Sequence, residues 1–130
     1  MTIIYVAHSK AFDYKNELYL PLKQSRLNDK YEILLLHEHN DRPFSSKNFF
    51  RKECGLVVAE VSFPATGLGI ELGWVDAHGV PIICVYKKGA RVSNSVRGMS
   101  DMFVEYANTE KLVSGIEKII ESDGLLLIYS

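Results

Sequence analysis

The residues whose types and spacing are best suited to chemistry fall in one short stretch, Pro64-Ala-Thr-Gly-Leu-Gly-Ile-Glu-Leu-Gly73. Gly67 and Gly69 lie just ahead of a helix-like run. Glycines there let backbone N–H groups approach a ligand closely, and a helix N-terminus favours an anion or an electron-rich sugar oxygen. Thr66 adds a hydroxyl beside them. Glu71 follows, in what reads as the first helical turn. From pattern alone it either complements the helix dipole and stays solvated or carries function. The glycines do not make a dinucleotide fingerprint, because the third falls at Gly73, one place late for G-x-G-x-x-G, and the motif follows the third strand rather than the first.

Other polar residues gather where apolar runs end. Glu60 closes one such run, and a carboxylate there either takes part in chemistry or orients nearby hydroxyls and amides. His8, His39 and Asp41 share that kind of position and, with Glu60, are candidates for proton transfer. His8, His37 and His39 lack the cysteine or carboxylate that would complete a metal site. His78 reads as the end of its helix. No G-x-S-x-G elbow is present, so a serine hydrolase has no support. Lys87, Lys88, Arg91 and Arg97 cluster in one segment, which suits either a phosphate or a solvated basic turn.

The elements that must position these residues alternate. Thr2–Ala7, Tyr31–Leu36, Gly55–Val61, Val80–Tyr86 and Met102–Tyr106 are apolar runs with the pattern of strands buried on both faces. Between them the spacing predicts a helix over Asp13–Asn28 interrupted by Pro21, a short helix from Ser45–Ser46 to Glu53, and a helix from about Leu68 to His78 ended by Gly79. A short helix is expected over Val92–Met99 and a last one over Glu110–Glu121, capped by Asn108–Thr109. Leu125–Tyr129 is a further apolar strand that would either edge the sheet or pair with a second subunit. The expected fold is a flavodoxin- or Rossmann-like α/β, doubly wound sheet of about five mostly parallel strands with that C-terminal strand in addition. Ligands would bind beyond the carboxyl ends of the strands.

With 130 residues the chain fits one domain spanning 1–130. Fifteen basic against sixteen acidic residues give a net charge of −1, which argues against a nucleic-acid polymer or an anionic membrane as partner. Every apolar run is far short of the roughly 20 residues that cross a bilayer. Cys54 and Cys84, with no leader pattern ahead of them, read as free thiols in a reducing compartment, which places the protein in the cytoplasm.

The run Val57-Val-Ala-Glu-Val-Ser-Phe-Pro-Ala-Thr-Gly-Leu-Gly-Ile-Glu-Leu-Gly73, followed by Gly79-Val-Pro-Ile-Ile-Cys-Val-Tyr86, resembles the 2'-deoxynucleoside 5'-phosphate N-hydrolases of the nucleoside 2-deoxyribosyltransferase superfamily. The resemblance implies that Glu71 is the glutamate that attacks the anomeric carbon. It also implies that Ser93, with Arg97-Gly98 four residues on, helps bind the 5'-phosphate, the serine reaching in from a neighbouring subunit of a homodimer. Glu38-His39 matches a pair near the base, and no cofactor or metal is implied. Breaking an N-glycosidic bond builds cationic character on the sugar, which a carboxylate beneath the anomeric carbon stabilises or captures.

Three positions depart from the family pattern. Ala7-His8-Ser9 stands where a glycine-serine pair holds phosphate, with Ser9 as the substitute, and Ala65 replaces a serine beside Thr66. Lys47 falls where the family carries an assisting aspartate. The expected activity is hydrolysis or transfer at the N-glycosidic bond of a nucleotide or nucleoside, foremost a 2'-deoxynucleoside 5'-monophosphate. The alternative is a nucleotide-binding or sensing domain of the same fold that has lost catalysis, a reading motivated by Lys47.

Overall fold

A computed structural model describes residues 2–38 and 54–123. Its strands are β1 (Ile3–His8), β2 (Glu32–Leu34), β3 (Cys54–Glu60), β4 (Ile82–Lys87) and β5 (Met102–Tyr106). They form one five-stranded sheet in the order β2-β1-β3-β4-β5, and every pairing is parallel. This is the α/β sheet expected from the alternating pattern. The anticipated helix over 45–53 and the strand Leu125–Tyr129 lie outside the described residues.

Alternation along each strand sorts the side chains into two layers. Ile4, Val6, Leu56, Val58, Ile83 and Val85 face one way, toward Leu18, Leu22, Leu112 and Ile116. Tyr5, Ala7, Val57, Ala59 and Cys84 face the other, toward Leu68, Leu72 and Val75. The helices follow suit. On the first side lie α1 (Leu20–Lys23), α2 (Leu27–Lys30) and α5 (Thr109–Asp123); on the second lies α3 (Thr66–Ala77), and α4 (Asn94–Arg97) is a single turn beside β4. Leu112 and Ile116 are wholly buried, and each contributes about 1.5–3 kcal/mol relative to an exposed position. Asn108 caps α5, its Oδ1 accepting from Lys111 N at 2.9 Å.

The predicted interruption near Pro21 takes a specific form. Lys15–Tyr19 is a π-helical turn running directly into α1, in which the Leu20 N–H bonds the Lys15 carbonyl. Proline has no N–H to give and its ring crowds the carbonyl four residues back, and the widened turn lies immediately ahead of it. The helix after β3 starts at Thr66, two residues earlier than the pattern predicted, and Gly79 at φ 71° ends it. Cys54 and Cys84 are free, and burial pushes both thiols up to about 11. No helix among the described residues is long and apolar enough to cross a membrane.

Candidate active site

Glu71 stands in the second turn of α3, and no acidic residue occupies the first. The expectation that it lies in the first turn is thereby corrected, and with it goes the dipole explanation, since that effect fades beyond the first turn. Its partner is instead a strand residue. Tyr5, buried in the middle of β1, donates its hydroxyl to Glu71 Oε2 at 2.7 Å. Burial first, and then the Glu71 charge and the hydrogen bond to it, raise the Tyr5 phenol far above its ordinary value, so it stays a donor at any working pH. Leu68, Leu72 and Val75 bury the inner face of α3, and Glu71 remains half-buried. A carboxylate anchored at one oxygen by a fixed donor, and reachable from outside, is suited to act on a ligand.

Around it, Thr66, Gly67 and Gly69 are exposed in the first turn of α3. Ala65, the residue before the helix, is extended and makes no side-chain cap. A Cβ built on Gly67 or Gly69 meets nothing within 4 Å, so packing within the chain does not require either glycine. Open backbone donors and bare glycines at a helix start are what an anionic or hydroxylated ligand uses.

Glu60 is turned away from this carboxylate. It is fully buried and faces the layer of α1 and α5, where Tyr106 donates to its Oε2. Ser62 Oγ donates to the same oxygen at 3.0 Å, and Ser62 N donates to Oε1 at 2.5 Å. Burial, followed by the Glu60 interactions, raises the Tyr106 phenol. Ser62 Oγ also accepts from Lys87 N at 2.7 Å, tying the end of β3 to the end of β4. The two carboxylates therefore occupy opposite faces of the sheet, and of the two roles open to Glu60 its bonds match the second, the orienting of nearby hydroxyls and an amide. Strand alternation is the reason: Tyr5 and Glu60 belong to opposite rows of the pleat.

His8 is turned inward as well. Its Nδ1–H donates to the Ser9 carbonyl at 2.8 Å, and its Nε2 accepts from the Tyr19 hydroxyl at 2.6 Å. The assignment follows because a carbonyl can only accept. Burial lowers the imidazole to about 4, so the ring is neutral near pH 7. Tyr14 packs against it at 4.4 Å between centroids, and Tyr19 and His37 meet it edge-on. Ser9 is buried too, its Oγ accepting from Ala11 N at 3.0 Å.

The remaining expected residues are spread around the strand ends. Glu38 pairs with Lys23, while His39 and Asp41 lie outside the described residues. Ser93 caps α4 by accepting from Ser95 N at 3.2 Å. Arg97 places its guanidinium 5.9 Å from the Tyr86 ring and 5.8 Å from Phe103. Lys87 is bound to Glu17 at 2.8 Å. Among the described residues, no group of three or more His, Cys, Asp and Glu side chains gathers around a metal position. Tyr5 and Tyr106 escaped the sequence reading because a tyrosine inside an apolar strand looks like core; their hydroxyls gain meaning only from partners 66 and 46 positions away.

Fold and site together define a flavodoxin-like α/β protein with a tethered carboxylate on the helix after β3. Solved structures of the same fold include the CMP N-glycosidase of Clostridium botulinum, with a TM-score of 0.62 at 19% identity over 89% of this chain and 99% of that one. A signal receiver domain from Vibrio parahaemolyticus shares the fold at a TM-score of 0.57 and 17% identity, covering 99% of this chain and 97% of its own.

The curated relatives are more specific. One, from Syntrophotalea carbinolica, bears the name "Putative 2'-deoxynucleoside 5'-phosphate N-hydrolase 1" and is 32% identical over 69 residues, 42% of this chain and 49% of that protein. The 5-hydroxymethyl-dUMP N-hydrolase of Mus musculus is 40% identical over 52 residues, 38% of this chain and 30% of that protein. The resemblance to the N-hydrolases read from the sequence is borne out by these names. The chain spans about half the length, or less, of the curated relatives it matches, and no protein-family profile matches it.

Proposed function

We propose that this chain hydrolyses the N-glycosidic bond of a nucleotide, foremost a 2'-deoxynucleoside 5'-monophosphate, with Glu71 as the nucleophile. The Tyr5–Glu71 hydrogen bond carries the reading. It fixes a carboxylate oxygen on α3 one turn beyond an exposed, glycine-bearing helix start, and N-hydrolase names recur among the relatives. The free oxygen of Glu71 attacks the anomeric carbon as the bond to the base breaks, and water then releases the sugar from the carboxylate. Tyr5 holds the carboxylate in line throughout, because its own proton is not lost.

The first turn of α3, with Thr66, Gly67 and Gly69, lies against the sugar phosphate. Ser93 and Arg97 complete the pocket of a second copy in a homodimer. Glu60 and His8 serve the architecture beneath the site, which leaves Glu38, His39 and Asp41 as the polar groups for the departing base.

Release of free base from a panel of deoxynucleoside and ribonucleoside monophosphates tests the proposal. Wild type is expected to release base from at least one, and Glu71→Gln to lower the rate by about a thousandfold or more. Tight nucleotide binding with no turnover in wild type would instead favour the second reading, a binding domain, which Lys47 in place of the assisting aspartate supports.

A further inference from the structure

The segments leaving β1 and β3 diverge to opposite faces of the sheet, the first toward the π turn and α1, the second toward α3. In a sheet of order β2-β1-β3-β4-β5 that divergence marks the switch point where a ligand enters. Phe12 from the first segment and Phe63 from the second meet across it, their ring centroids 5.2 Å apart and their planes 23° from parallel. Lys87, at the end of β4, holds its Nζ 5.1 Å from the Phe12 centroid and 5.3 Å from that of Phe63. Its Nζ also donates to Glu17 Oε1 at 2.8 Å. Glu17 belongs to the π turn, a kind of element that recurs at functional sites. Four segments thus converge on one stacked pair of rings.

We propose that Phe12 and Phe63 form an aromatic latch across the mouth of the crevice, fastened by Lys87 and Glu17, which parts to admit the substrate and closes again over it. The proposal rests on the reading that this crevice is the route to Glu71. Both rings are half-buried, and the Lys87–Glu17 pair is partly exposed, at 32% and 42%. Contacts of this kind are individually weak, so the latch opens locally without unfolding the sheet. Because the fastening pair is within reach of solvent ions, salt loosens it.

Two amides lie at the latch: Ser62 N, bonded to Glu60, and Lys87 N, bonded to Ser62 Oγ. Hydrogen exchange at these positions reports its opening with no substrate present. Phe12→Leu and Glu17→Gln are each expected to speed exchange at Ser62 and Lys87 by about fivefold or more while leaving Ile83 and Val104 unchanged. Added salt should speed wild type toward the rate of Glu17→Gln but not move that variant further. Unchanged exchange at the two amides, or an equal rise across the whole sheet, would overturn the latch whether or not the protein cleaves nucleotides. Where wild type does release base, Glu17→Gln should raise the association rate of the nucleotide severalfold, and an unaltered rate would show that the rings do not guard entry.

Discussion

Removing the Tyr5 hydroxyl isolates what that one group does for Glu71. A hydrogen bond to a charged partner is worth about 1.5–3 kcal/mol, and each 1.36 kcal/mol is tenfold in rate. Tyr5→Phe is therefore expected to lower kcat for base release by roughly ten- to a hundredfold with little change in KM, as steady-state kinetics would register. His8 makes a second prediction, about stability. Its folded imidazole sits at about 4 against an ordinary 6.5, so between those values the unfolded chain binds a proton that the folded one refuses. Stability is full above the upper value and falls as the pH drops through this window, by up to roughly 3 kcal/mol. Urea unfolding at pH 7 and pH 4.5 should reveal the loss, and His8→Gln should shrink it. Glu71 was legible in the sequence as a candidate because glycines precede it and it opens E-L-G. Its tether, and the opposite facing of Glu60, were not, since both depend on which row of the pleat a residue joins and on partners remote in the chain.

Elements set these rows, and two of them approach closely at Gly115 in α5. A Cβ there would lie 2.4 Å from Val104 Cγ1 on β5, which explains a glycine in the middle of a helix where alanine is otherwise favoured by about 1 kcal/mol. Gly115→Ala is expected to destabilise the fold by about 1–3 kcal/mol, and Val104→Ala in the same chain to restore part of that, both measured by denaturant midpoints. The strands were readable from their apolar runs, and β5 matches its predicted limits of Met102 and Tyr106. Boundaries moved where a local rule met a tertiary one. Pattern placed the start of α3 at Leu68, its first inward apolar side chain, yet the backbone turns helical at Thr66. The π turn was not legible beyond a disturbance at Pro21, because sequence periodicity does not distinguish a widened turn from a break.

For the molecule as a whole, the reading requires two copies. Ser93 and Arg97 lie on and beside α4, a single exposed turn, and the proposed pocket draws them from a neighbour. Sedimentation should find a dimer, and Glu71→Gln mixed with Ser93→Ala should recover base release that neither has alone; a monomer active by itself would remove the shared pocket. The sheet order carries a further consequence, about time. β1 lies between β2 and β3, and six of its residues, Ile3 to His8, pair with β3, which begins only at Cys54. A nascent chain that has emerged only through β2 holds a two-stranded fragment with bare apolar rows, in need of shelter from aggregation. Tyr5 then waits for Glu71, so the hydrogen-bonded pair is assembled late in synthesis, when β3 slots in and α3 follows it from the ribosome.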